Sequence, residues 1–270
     1  MEKSDFIILD GKNEYPDINV SMHRLGYTNK VKKLDFDLRN TAKEKDRTEY
    51  MGNINHGQAL EINTKLNGFT LPPLYFADML YQLIETIKCN RKTYDGNGKE
   101  IDFKRIKYFY NEIAEIRDPW RAEHLDAEFG KNTITYHKFV NGKFEEVTEE
   151  IEDCLMQDRE IDLEDWLKNQ TSQGFPRKNC KEGKLNFWYP REGAVARFLA
   201  NSGWAVLGCN WGPLLSYAEL GVRYSFSAKG TQKISAPELY SLKQISNVLN
   251  EVGITGSLEE QILSGLKTLI

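Results

Sequence analysis

Few side chains in this sequence are spaced for chemistry. The four cysteines, Cys89, Cys154, Cys180 and Cys209, lie far apart and no two form a CxxC pair, which argues against a structural zinc site. A chain of 270 residues can bury its own core, so no disulfide framework is expected either. The four histidines, His23, His56, His124 and His137, are scattered without a second ligand at metal spacing and read as structural or exposed. Glu123, Asp126 and Glu128 beside Arg121 and His124 can be drawn as an acid–base cluster, but such carboxylates more often belong to surface charge or ion pairs. Gly208 and Gly212 lack the spacing that cradles a phosphate. Calcium-dependent sugar binding needs clustered oxygen ligands, and Asn210 and Glu219 stand among apolar residues. No catalytic residue, metal or cofactor is therefore expected.

The bulk composition narrows the partners. A hydrophobic content of 40% with 28% charged residues is that of a soluble globular protein. The net charge of −4 leaves no electrostatic footprint for nucleic acid, and Lys30, Lys32 and Lys33 read as a solvated turn. The polar start at Met1–Asp5 is no signal peptide, and no apolar run reaches membrane-spanning length. The expectation is a protein without membrane insertion, cytoplasmic or exported by an unrecognised route.

The elements that must position any site are mixed. Short strands are expected at 5–10 and 33–38, and a charged loop or helix face at 41–49. A short helix at 59–66 closes at Asn67-Gly68. A stronger helix follows Pro72-Pro73, with Leu74, Ala77, Leu80, Tyr81, Ile84 and Ile87 at helical spacing. A second presents Phe103, Ile106, Tyr110, Ile113 and Ile116 and must stop before Pro119. Asn141-Gly142 marks a hairpin between 134–140 and 143–147. A short helix is expected at 164–167 and a loop at 170–183. Ser235 with Glu238 and Ser257 with Glu260 have capping-box spacing, opening two amphipathic helices separated at Gly253. The first carries Leu239, Leu242, Ile245 and Leu249, the second Leu258, Ile262, Leu266 and Leu269. Strands and helices without βαβ regularity give the class α+β.

One segment behaves differently. Between Trp188 and Tyr224, small or apolar residues recur at Ala196, Phe198, Ala200, Ala205, Leu207 and Cys209. Interleaved with them is an assortment without pattern: Leu199, Trp204, Val206, Gly208, Asn210, Trp211. After Pro213, Leu214, Leu215 and Tyr217 make a loop unusually apolar for its Gly/Pro/Ser setting. A core strand pair explains such apolarity, as does an exposed patch with aromatic anchors of the kind binding hot spots favour.

The runs Ala194-Val195-Ala196-Arg197-Phe198, Ala205-x-Leu207-x-Cys209 and Leu220-Gly221-Val222-Arg223 resemble the variable region of diversity-generating retroelement proteins, in the archaeal, nanoarchaeal-type branch. Further matches are Arg117-Asp118-Pro119-Trp120-Arg121-Ala122-Glu123 with Leu125-Asp126-Ala127, and Asp165-Trp166-Leu167. Asn67-Gly68-Phe69-Thr70-Leu71 and Phe187-Trp188-Tyr189-Pro190-Arg191 also match, so the resemblance runs from about Gly52 to Arg223. It implies a C-type lectin-like fold used without calcium, whose variable region is overwritten by a reverse transcriptase that corrupts template adenines. Fully mutated AAC codons cannot encode Trp, Glu, Gln, Met or Lys. Leu199, Val206, Gly208, Asn210, Gly212, Leu214, Leu215, Tyr217 and Ala218 pass that test, whereas Trp204, Trp211 and Glu219 do not.

The resemblance thus implies an α+β, C-type lectin-like domain over 1–230, with a variable region at about 194–223 and a C-terminal helical hairpin at 231–270 packed on it. Its function would be recognition of a macromolecule, a protein, through a face made of Leu199, Asn201, Trp204, Val206, Gly208, Asn210, Trp211, Gly212, Leu214, Leu215, Tyr217, Ala218 and Glu219. Ala196, Arg197, Phe198, Leu207, Gly221, Val222 and Arg223 would hold the backbone. Leu199, Val206, Leu214, Leu215 and Tyr217 are expected to face solvent, and Trp204 and Trp211 to divide between face and support. The alternative is an enzyme of the formylglycine-generating type, which shares the lectin-like fold and needs reactive cysteines.

Overall fold

In a computed structural model, residues 3–12, 14–26, 54–65, 67–115, 120–141, 143–201, 203–217, 219–228, 242–251, 253–257 and 259–262 are described. They form a mixed α+β structure built on one large open sheet. Its strands are β1 (Phe6–Leu9), β2 (Ile18–Gly26), β3 (Arg121–Phe129), β4 (Thr133–Val140), β5 (Lys143–Glu150), β6 (Arg159–Ile161), β7 (Leu185–Trp188), β8 (Val195–Ala200), β9 (Ala205–Trp211) and β10 (Leu220–Ser227). The helices are α1 (His56–Lys65), α2 (Pro73–Cys89), α3 (Phe103–Ala114), α4 (Leu163–Lys168) and α5 (Leu242–Glu251).

The strand order is β1-β2-β10-β3-β8-β9-β7-β6, with β4 joined to β3 and β5 to β4. Most pairs are antiparallel, but β10 runs parallel to β3 and β7 parallel to β9. The hairpin at Asn141 forms as expected, with Val140 opposite Lys143 and Asn141 at φ 51°. Local signals set the helix ends. Pro73 opens α2 and Asn90 closes it in the left-handed region, while the Asp102 and Asp162 carboxylates cap α3 and α4 by accepting from Lys104 N and Asp165 N.

Strand parity sorts side chains onto two faces. The main core joins Leu125, Ala127 and Phe129 of β3, Ala196 and Phe198 of β8, Leu207 and Cys209 of β9, and Leu185 and Phe187 of β7 to the buried stripes of α2 and α3. Burying this much apolar surface is the dominant favourable contribution to the fold. The opposite face carries a smaller cluster of Ala122, Leu199, Val206 and Leu220, with Trp120, Trp188 and Trp211 packed on it.

The expected elements change in these respects. Phe103, placed on the buried stripe of its helix, is the first residue of α3 and is 43% exposed. Four strands have no counterpart in the expected elements, β2, β3, β6 and β7. Of the C-terminal segment, α5 packs against α1, Gly253 follows it at φ 81°, and Asn250 Nδ2 donates to Glu259 Oε1 at 2.9 Å. The strand at 33–38, the lysines at 30, 32 and 33, the charged run at 41–49, Ile116 to Pro119, Ser235, Glu238, Leu239, Leu258, Leu266 and Leu269 lie outside the described residues. Among the described residues, no helix is long and apolar enough to cross a membrane.

Candidate recognition surface

The unpatterned segment supplies β8, β9, the start of β10 and the loop joining the last two. In β8 and β9 the scaffold positions Ala196, Phe198 and Leu207 point into the main core, so the interleaved positions emerge on the opposite face. They do not emerge into solvent there. Leu199 is 4% exposed and Val206 0%, which corrects the expectation that both face solvent. The physical reason is a layer of tryptophan above them: Trp120, Trp188 and Trp211 lie on this short aliphatic floor and remove it from water. Gly208 and Glu219 are buried as well, and Asn210 and Gly212 are half-buried. Ala218 lies outside the described residues.

The two tryptophans divide. Trp204 is 46% exposed, whereas Trp211 is half-buried and tilted against Trp188, with ring centroids 5.6 Å apart. Asn201 also turns out to act inward. Its Oδ1 accepts from the backbone N–H of Gly203 at 2.8 Å and of Trp204 at 2.9 Å, the local turn for which asparagine is suited. It thus shapes the β8–β9 connection and aims Trp204.

The β9–β10 loop is the outermost feature. It leaves β9 at Trp211, opposite Val195, and re-enters the sheet at Leu220, opposite Ala122. It must therefore cross β8 and β3 on the tryptophan side. Leu214 is 84% exposed, Leu215 37% and Tyr217 40%. Tyr217 meets the edge of Trp120 at 5.9 Å. Among the described residues, four of the seven exposed large hydrophobics fall between Trp204 and Tyr217. That concentration makes the segment a patch, where scattered single residues would need no explanation.

Arg197 holds the loop from below. Its Nη2 donates to Gly212 O at 3.1 Å and to Leu215 O at 3.0 Å, and its guanidinium lies 5.4 Å from the Trp211 ring centre. The side chain is 1% exposed, and burial brings its pKa down to about 10. Among the described residues, Nε and Nη1 have no hydrogen-bond partner, and neither has Trp211 Nε1.

The acid–base cluster drawn from the sequence does not assemble. The Arg223 guanidinium, through Nε and Nη2, makes a buried two-pronged pair with Glu123, and Arg121 pairs with Glu112. Both pairs lie toward α3, where the Arg223 guanidinium also stands over Phe109. Asp126 instead accepts from the backbone N–H of His137 and lies 2.9 Å from its Nδ1. This hydrogen bond raises the imidazole's pKa. His56 Nδ1 is 3.3 Å from the exposed Glu128, and His56 Nε2 bonds Leu125 O. His124 bonds Ile54 O. Burial, then the nearby Arg197 and His56, keep His124 neutral by holding its pKa well below the usual imidazole value. The His23 side chain lies outside the described residues.

Cys209 is fully buried and its thiol pKa is pushed well above the ordinary value, while burial brings Cys154 and Cys180 to about 11. None of these three is an activated thiolate. Among the described residues no group of three or more His, Cys, Asp or Glu side chains is arranged to hold a metal. Val222 is fully buried and Gly221 sits inside the β10–β3 ladder. Trp188 joins the tryptophan layer although no motif in the sequence marks it as a site residue. Its signal was strand parity, since Leu185 and Phe187 point to the core and the residue after Phe187 must point away. Compared with known proteins, the chain matches no family model, no curated protein and no solved structure.

Proposed function

We propose that this chain is a binding protein, a variable protein of the diversity-generating retroelement type with a C-type lectin-like fold, and that it recognises a protein through the surface around the β9–β10 loop. The observation that carries the reading is the exposed apolar group Trp204, Leu214, Leu215 and Tyr217, set on a loop that Arg197 meets from beneath. Aromatic side chains supply large contact area for little lost rotamer freedom.

Burial narrows the face. Leu199, Val206, Gly208 and Asn201 serve its floor and its turn, so the ligand-contacting set is Trp204, Asn210, Trp211, Gly212, Leu214, Leu215 and Tyr217. Of the C-terminal segment, read as a hairpin, α5 packs against α1 on the flank. The test is to sequence the locus in many cells of one population. Codons 210, 212, 214, 215 and 217 are expected to vary while 196–198, 207 and 221–223 stay constant, beside a reverse-transcriptase gene and a near-copy differing at adenines. An invariant segment with no such neighbour would overturn the retroelement reading.

A further inference from the structure

Arg197 differs from two other buried arginines of the sheet. Arg121 holds Glu112 and Arg223 holds Glu123, the usual compensation for a guanidinium taken out of water. Among the described residues Arg197 forms no ion pair. Its acceptors are two neutral carbonyls on one nitrogen, and its Nε and Nη1 have none. The Trp211 indole N–H, beside the same guanidinium, is also without an acceptor. Donors left unmatched in a buried site are costly and rare in native proteins. They sit directly under the loop whose outer side chains form the exposed patch.

We propose that Arg197 and the Trp211 indole N–H form a carboxylate-binding site, and that the protein recognised by this surface presents an Asp, Glu or C-terminal carboxylate flanked by apolar side chains. This rests on the recognition surface proposed above and names the chemistry of its ligand. The loop is the cover of the site. Among the described residues its one internal bond is the turn Leu215 N to Gly212 O, and Leu220 N of β10 donates to Tyr217 O where the loop rejoins the sheet. It is held to the rest of the molecule by the two Arg197 bonds, the His56 N–H to Pro213 O at 3.2 Å, the Tyr217 edge on Trp120 and, at its return into the sheet, the Ala122 N–H to Glu219 O at 3.1 Å. An incoming carboxylate replaces two neutral acceptors with a two-pronged charged one, which is the stronger partner for a planar guanidinium. The ligand's apolar groups would meanwhile cover Leu214, Leu215 and Tyr217.

The experiment compares 3-phenylpropionate with the isosteric neutral 3-phenylpropionamide, titrated into the full chain while the Trp211 indole N–H resonance is followed, assigned through W211F. The carboxylate is expected to shift that resonance saturably, with at least about tenfold tighter binding than the amide. R197M should abolish the preference and R197K should keep part of it. The acid–amide comparison on the native chain stands even if R197M fails to fold. Equal binding of acid and amide would overturn the carboxylate site while leaving an apolar recognition surface in place. Binding of neither overturns the carboxylate site, and population sequencing of the locus then decides the surface independently.

Discussion

The Trp211 indole closes over Gly208: a methyl group at position 208 would fall 2.3 Å from the indole Nε1 and 3.3 Å from a ring carbon of Trp188. Position 208, expected to be freely diversified, is thereby coupled to the tryptophan beside it. Gly208→Ala should push the indole off the floor, weaken the Trp188–Trp211 contact and cost roughly 1–3 kcal/mol, as overpacking does. Near-ultraviolet circular dichroism and a urea melt read both effects. An unchanged spectrum and midpoint would show that the indole yields without cost.

Floor and face should separate in a melt series. Leu199→Ala and Leu207→Ala are expected to lose about 2–5 kcal/mol and Phe198→Ala about 3–5 kcal/mol, since each empties a buried site. Leu214→Ser, Leu215→Ser and Tyr217→Asn should move stability by no more than about 0.5 kcal/mol, as exposed positions do. Equal losses in the two groups would make the loop part of the core.

Glu123 and Glu128 sit five residues apart and should behave oppositely. Glu123→Ala leaves the Arg223 guanidinium buried without its carboxylate, a loss of roughly 3–5 kcal/mol. The Glu128 side chain is 57% exposed, and Glu128→Ala should be nearly silent. Urea melts decide this, and a catalytic role for either would show instead as lost turnover with the fold intact.

The histidines His137 and His124 should give pH effects of opposite sign. The His137 pKa is raised by its bond to Asp126. Its contribution is complete below the unfolded value of about 6.5 and fades as pH rises through the folded value. The His124 pKa is lowered by burial, so stability from keeping it neutral is full above about pH 6.5 and declines as acid protonates the unfolded chain. In the native protein, imidazole Cε1–H resonances should show His137 titrating above the ordinary range and His124 unprotonated at pH 5.5. A normal His124 titration curve would contradict its enclosure.

Periodicity made the helices legible, because α2 and α3 bury one stripe and expose the other, and the Asn-Gly hairpin was legible from turn chemistry alone. β3 was not, although Leu125, Ala127 and Phe129 alternate with polar residues. Its Glu123, His124 and Asp126 are buried too, the first two through partners far away in sequence, so the strand reads as a charged run. β2 was readable in the alternation of Ile18, Val20 and Met22 but is isolated in sequence from its partner β10. For the candidate site, sequence parity correctly separated Phe198 and Leu207 from Leu199 and Val206. It could not tell solvent from a tryptophan layer, since Trp120 and Trp188 arrive from distant segments.

The pairing of β2 with β10 joins residues such as Val20 and Ser225, roughly 200 positions apart. During synthesis the N-terminal hairpin β1–β2 must wait, one edge open, until everything through the loop at 212–217 has been made. Contacts of such long separation form late and slowly. If the segment between β8 and β10 is diversified as proposed above, each version is therefore proofread by folding itself. A version that cannot lay its loop across the sheet leaves the first strands unpaired, exposed to proteolysis and aggregation before it can meet a ligand.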